Sequence, residues 1–252
     1  MFSSFTSPLF LLSLAIQVAL VVHCVRTGRN TFWIWILIFA PLVGTIAYVL
    51  VEIAPELFGS RTAGRAVRGV RRALDPGQEL RNREAAVQRT GDVASRQRYA
   101  EELLRQGESR KAMDVYRQAM TGLYAHDPNL MLGLAQAQFA SGLATDARST
   151  LDALIERNPQ FKSPDGHLLY ARALEAEGNL PKALEEYAAV AAYYAGAEAR
   201  LRHGQLLSKL GRKDEARPVL EGLLEHARLA PRHYREAQEQ WLAAARRTLA
   251  EL

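Results

Sequence analysis

The side chains best suited to chemistry in this chain are six histidines, one cysteine and a run of arginines. His126, His167, His203, His226 and His233 are scattered at no spacing that pairs them on a metal, and neither H-E-x-x-H nor G-x-S-x-G occurs. Cys24 stands alone, so it can build neither an internal disulfide nor a Cys-rich zinc module. Acidic pairs such as Glu185-Glu186 read as the solvated face of a helix, and His203 as a packing residue. Gly59-Ser60-Arg61-Thr62-Ala63-Gly64 has the glycine spacing of a phosphate loop. Arg65-Ala66 stands where Lys and Ser/Thr are needed, and an apolar helix precedes it rather than a strand. No catalytic residue, metal ligand or cofactor is expected, and the chain reads as a non-enzyme.

The arginines are more informative. The formal net charge is +5, and all of it falls within residues 57–90. Residues 1–56 and 91–252 each sum to zero, so nucleic-acid binding by the C-terminal part is not expected. Arg61, Arg65, Arg68, Arg71 and Arg72 lie opposite a weak stripe of Ala63, Val67, Val70 and Leu74, an amphipathic helical pattern that Asp75-Pro76-Gly77 ends. Beside anionic phospholipid each arginine could contribute roughly 1 kcal/mol. The plainer reading is that these arginines only set topology.

The elements flanking this connector must position it. Pro8 to Val25 and Thr31 to Val51 are uncharged runs, and helices over about 8–25 and 31–53 would match a hydrocarbon core about 30 Å thick. Residues 1–56 therefore read as a two-helix transmembrane hairpin, with a kink at Pro41 and Gly44. No Lys or Arg precedes Arg26, which argues against a signal peptide. The arginines after the second helix place both termini in the cytoplasm, in a two-pass protein of the inner (cytoplasmic) membrane. The pattern Gly28-Arg29, Trp33, Trp35, Pro41-Leu42-Val43-Gly44 and Ala47-Tyr48 resembles the N-terminal membrane hairpin of the cardiolipin synthase and phospholipase D nuclease family. That family's H-x-K catalytic motif is absent, because no histidine has Lys two positions later. The resemblance implies membrane anchoring alone.

Residues 91–252 repeat. Gly107, Gly142, Gly178 and Gly211 recur at 35, 36 and 33 residues, each five before Ala112, Ala147, Ala183 or Ala216. Large residues follow the alanines by four, at Tyr116, Leu151, Tyr187 and Leu220. Small residues precede the glycines, at Ala100, Ala135, Ala171 and Gly204. This pattern resembles the tetratricopeptide repeat, a helix-turn-helix unit of about 34 residues. The expected fold is all-α: the hairpin, then an α-solenoid of about four repeats (93–127, 128–163, 164–196 and 197–230) with a capping helix over 231–252. An extended second helix is expected near Gly122–His126. Trp241 reads as a core residue of the cap.

The resemblance also implies a concave groove lined by the first helix of each unit. Its positions fall on Gln97, Glu101 and Arg105 in the first repeat and Asn129, Leu132, Gln136 and Phe139 in the second. They continue through Leu168 and Arg172 to Leu201, Gln205 and Lys209. Asn129, Arg172 and Lys209 could grip a peptide backbone or acidic side chains. Leu132, Phe139 and Leu168 would offer apolar contact, although Phe139 could equally pack between repeats. The function expected is a membrane-anchored cytoplasmic adaptor that recruits a protein or peptide, another copy of the chain included. The alternative is a non-catalytic accessory subunit of a phospholipid-metabolising or envelope-assembly complex, contacted through the hairpin.

Overall fold

The computed structural model describes residues 8–26, 32–39, 41–49 and 77–252. It divides into two units, 1–78 and 79–252, and no strand occurs among the described residues.

In the first unit, α1 (Pro8–Arg26) is followed by α2 (Phe32–Phe39) and α3 (Pro41–Tyr48). Leu20, Cys24, Leu37 and Tyr48 form its small core. His23 Nδ1 lies 3.0 Å from the Tyr48 hydroxyl, and Trp33 meets the Tyr48 ring edge-on at 5.5 Å. The single helix expected over 31–53 is broken. Pro41, which has no amide hydrogen to continue the ladder, opens α3. The bend brings the backbone of Gly44 against Ile36, so that a Cβ on Gly44 would sit 2.6 Å from the Ile36 carbonyl oxygen. In a straight helix residues eight apart are separated by about 12 Å. Each half is eight residues long, and α1 carries Gln17 and His23 within its run. Among the described residues no helix is long and apolar enough to cross a membrane, so the two-pass hairpin expected from the sequence is not found there. The turn at 27–31 and the connector arginines Arg61, Arg65, Arg68, Arg71 and Arg72 lie outside the described residues.

The second unit opens at Glu79, within α4 (Gln78–Thr90). Four helical hairpins follow: α5 (Val93–Arg105) with α6 (Ser109–Ala119), α7 (Pro128–Ala140) with α8 (Ala144–Arg157), α9 (Pro164–Ala176) with α10 (Leu180–Ala191), and α11 (Glu198–Lys209) with α12 (Lys213–Leu229). Helix α13 (Arg232–Ala250) closes the stack. The first helices start where the sequence supplies caps. Asp92 accepts from Ser95 N, Asp127 from Asn129 N and Leu130 N, and Ser163 from Gly166 N. The bond from Ser95 N to Asp92 holds that carboxyl below its ordinary range.

The turn between paired helices is the same four times. Gly107, Gly142, Gly178 and Gly211 take φ of 81°, 80°, 83° and 77°. The next amide then reaches back to the carbonyl five residues earlier, as in Glu108 N to Leu103 O and Arg212 N to Leu207 O, at 2.9 and 3.0 Å. Only glycine takes this left-handed cap without strain. Past the turn, Ala112, Ala147, Ala183 and Ala216 are fully buried. Each large residue meets a small one: Leu220 packs on Gly204, where a Cβ would lie 2.6 Å from a leucine methyl, and Tyr187 shares a core with Ala171. Tyr116 also reaches forward onto Gly133 of the next hairpin.

Two local expectations change. Helix α6 stops at Ala119, and the extra residues of the first repeat form a 3-10 turn, Gly122–Tyr124, rather than an extended helix. Gly122 enters that turn at φ 56°, which a continuing helix would not allow. The long second helix belongs instead to the fourth hairpin, where α12 runs 17 residues.

Candidate partner-binding face

The first helices α5, α7, α9 and α11 carry the residues expected to line the groove. The structure sorts them into three sets. Leu168 and Leu201 are buried at 3% and 2% exposure in core clusters, so they are not available to a partner. The physical reason is register: each points between the helices of its own hairpin, where the next helix covers it. Gln97, Glu101, Arg105, Asn129, Gln205 and Lys209 are half-buried or exposed. Several are already engaged locally: Gln97 donates to Glu101 at 3.0 Å, Arg105 pairs with Glu102, and Gln205 donates to Thr248 of the cap at 3.3 Å. Leu132, Gln136, Phe139 and Arg172 are partly buried.

Phe139 and Arg172 are brought together from adjacent repeats. The Arg172 guanidinium lies over the Phe139 ring, 4.7 Å from its centroid. Arg172 Nη1 stands 3.6 Å from Glu198 Oε1, and the same oxygen accepts from Arg202 Nε at 2.7 Å. Arg202 in turn lies 5.8 Å from the centroid of the Trp241 ring on the cap helix. The order Phe139, Arg172, Glu198, Arg202, Trp241 is thus a ladder of rings and charges crossing three repeats and the cap. Arg over an aromatic face contributes about 0.5–2 kcal/mol.

At the centre of the ladder two cations converge on one carboxylate oxygen. Glu198 is shared by two guanidinium groups, and Arg172 Nε is buried with no acceptor. Burial pushes the Arg172 guanidinium below its ordinary value, and the neighbouring Arg202 adds to that, while Glu198 opposes it. The nearby Glu175 carboxylate, which accepts from the Tyr187 hydroxyl at 2.7 Å, also opposes the lowering. Burial, with Asp165 beside it, raises the Tyr194 phenol to about 12, and its hydroxyl donates to Asp165 at 3.1 Å. A half-covered ring with two part-exposed arginines on one carboxylate oxygen offers an extended chain a stacking face and guanidinium edges. Among the described residues no group of three or more His, Cys, Asp and Glu could hold a metal ion.

Glu198, Arg202 and Trp241 were not read from sequence as site residues. Glu198 and Arg202 are four apart on one helix, so they look like an ordinary solvated pair. Only the stacking of α9 on α11 adds Arg172 to the same carboxylate. Trp241 packs against the core of the cap and also presents a face to Arg202.

The architecture defines a class first: a solenoid of stacked helical hairpins closed by a cap. Comparison with known proteins then identifies the repeats over part of the chain. Models of the tetratricopeptide repeat match residues 103–172 and residues 197–225, so the repeats are of tetratricopeptide type. Among solved structures, the chain is similar to the MamA RS-1 ArsTM double mutant, at 15% identity over 65% of this chain and 94% of that one, with a TM-score of 0.53. It is also similar to TTC0263, a thermophilic TPR protein of Thermus thermophilus, at 19% identity over 70% and 95%, with a TM-score of 0.52. Comparison with curated proteins found no match. These likenesses establish the fold.

Proposed function

We propose that the protein is a non-catalytic scaffold that recruits a protein partner by binding an extended segment along the first-helix face of its solenoid. The observation that carries this is the Phe139–Arg172–Glu198–Arg202–Trp241 ladder, which crosses repeats and leaves Phe139, Arg172 and Arg202 part-exposed. An extended peptide supplies backbone carbonyls and side chains at the spacing that stacked helices offer. An acidic side chain near Arg172 and Arg202 would share their charge with Glu198. Gln136 and Lys209 flank the ladder and would take further backbone contacts. A photo-crosslinker at Gln136 or Lys209 is expected to capture one partner in cells, whereas one at exposed Glu221 on α12 captures none. Adducts from Glu221 alone would place the docking surface elsewhere.

The N-terminal unit extends this reading. Ile16, Val18, Val22 and Val25 of α1, with Trp35, Phe39, Ile46 and Val49, are large apolar residues left exposed. Such a surface in water is costly, and lipid would cover it. In this reading the unit attaches the scaffold to a membrane, and Arg61, Arg65, Arg68, Arg71 and Arg72 meet anionic phospholipid beside it. Flotation with liposomes tests both parts. The full chain is expected to float and a chain lacking residues 1–56 to float far less. Indifference to anionic lipid content would remove the role of the arginines.

A further inference from the structure

A second site lies away from the first-helix face, at the edge of the solenoid where the second helix of one repeat passes to the first helix of the next. There the end of α10, the start of α11, the end of α12 and the start of α13 border an open pocket of about 510 Å³, with His226 and His233 exposed. Its lining is selective in charge. Arg200, His226 and His233 come from three different helices, and no carboxylate lines the pocket. Arg200 and His233 have no hydrogen-bond or ion-pair partner among the described residues. Elsewhere in the solenoid arginines are mostly matched with acids, as Arg148 is with Glu177 and Asp152, and Arg228 with Glu225. The remaining walls include Tyr193, Tyr194 and Tyr234. The Tyr193 side is open, with that residue 54% exposed, and Tyr234 stands edge-on to His226 at 5.8 Å.

The backbone brings both helix starts and helix ends to this edge. Helix α13 begins on Pro231, which offers no side-chain acceptor to its first amides. The Tyr234 hydroxyl is also buried without a partner. One wall is therefore aromatic, and the ionisable side chains other than tyrosine are basic, while the ends of α10 and α12 add backbone carbonyls. The volume exceeds what a bare inorganic anion fills and falls in the range of small-ligand sites, about 300–1,000 Å³. We propose that this pocket binds a small organic phosphate, its phosphoryl oxygens taken by Arg200, His226 and His233 and its planar ring set against Tyr193 and Tyr234. A guanidinium supplies paired donors to phosphate oxygens, and imidazole N–H groups supply single ones. The tyrosine faces favour a flat heterocycle over a flexible chain. This site is independent of the peptide-binding face, because the ladder residues do not line it.

Isothermal titration of the full chain with adenosine monophosphate, ribose 5-phosphate and adenosine tests the proposal. Adenosine monophosphate is expected to bind best, ribose 5-phosphate more weakly, and adenosine not measurably. Arg200→Gln is expected to weaken adenosine monophosphate by about tenfold or more, with an unchanged melting temperature. The double variant His226→Gln/His233→Gln gives a second reading if Arg200→Gln does not fold, and should weaken binding comparably. No binding of adenosine monophosphate at millimolar concentration would overturn the assignment. So would adenosine binding as tightly as the monophosphate, ribose 5-phosphate binding as tightly as either, or full affinity in both variants.

Discussion

The side-chain bonding of the solenoid differs between its start and its end. In the first hairpin the charged groups bond along a single stretch of chain, Gln97 with Glu101, Arg105 and Gln106 with Glu102, Lys111 with Glu108, and the neutral Ser109 accepts from Ser141 of the next hairpin. In later hairpins they reach across repeats: Arg148 to Glu177, Arg172 to Glu198, Tyr194 to Asp165, and Gln238 to the amide of Ala197. Pairs one turn apart contribute only about 0.3–0.5 kcal/mol and leave nothing for a partner. Cross-repeat contacts couple the hairpins and, at Arg172, leave capacity over. Binding is therefore expected toward the C-terminal half, with the first hairpin serving mainly as structure.

Substitutions can break this comparison. The largest effect is expected where repeats touch. A Cβ at Gly133 would lie 2.3 Å from the Tyr116 ring, so Gly133→Ala should lose about 1–3 kcal/mol in urea unfolding. Gly222, in mid-helix with nothing within 4 Å, is the control: Gly222→Ala should gain up to about 1 kcal/mol. Next comes Arg148, whose guanidinium bridges Glu177 at 2.8 Å and Asp152 at 2.6 Å. Arg148→Gln should cost about 1 kcal/mol, and Lys111→Gln, in an exposed local pair, less than about 0.5 kcal/mol in the same assay. Equal losses would erase the distinction between local and cross-repeat bonding.

A smaller, pH-dependent effect tests the fourth hairpin. Burial, helped by Arg212 and opposed by Glu215, lowers His203 below the usual histidine value of 6.5. The folded state then binds a proton less readily than the unfolded chain. The stability that neutral His203 contributes is present above pH 6.5 and is lost as pH falls toward the folded value. Melting temperatures between pH 7 and about pH 5 should fall, and His203→Gln should flatten that slope.

Much of the fold was legible because its determinants are spaced along the chain. The glycine turns, the buried alanines and the small-to-large contacts such as Gly204 with Leu220 recur at a fixed interval, and each needs one residue type. What was hidden depends on geometry at a distance. Nothing local in Glu198 and Arg202 announces that Arg172 will share their bond. Leu168 and Leu201 differ from Leu132 only in how the neighbouring helices cover them. The Gly122–Tyr124 turn replaces a helix because Gly122 takes positive φ, which its neighbours do not signal. Pro41 and Gly44 announced a kink, but not that it would bring Gly44 against the Ile36 carbonyl and divide the span into eight-residue halves.

The central claim is that Phe139 and Arg172 form the middle of the partner-binding face. Selecting peptides from a random display library on the full chain, then measuring their affinity for wild type and for Phe139→Ala/Arg172→Gln, tests it most directly. Peptides bearing an acidic residue are expected to dominate and to lose about tenfold or more in affinity for the variant, with its melting curve intact. Selected peptides that bind both proteins equally would contradict the account.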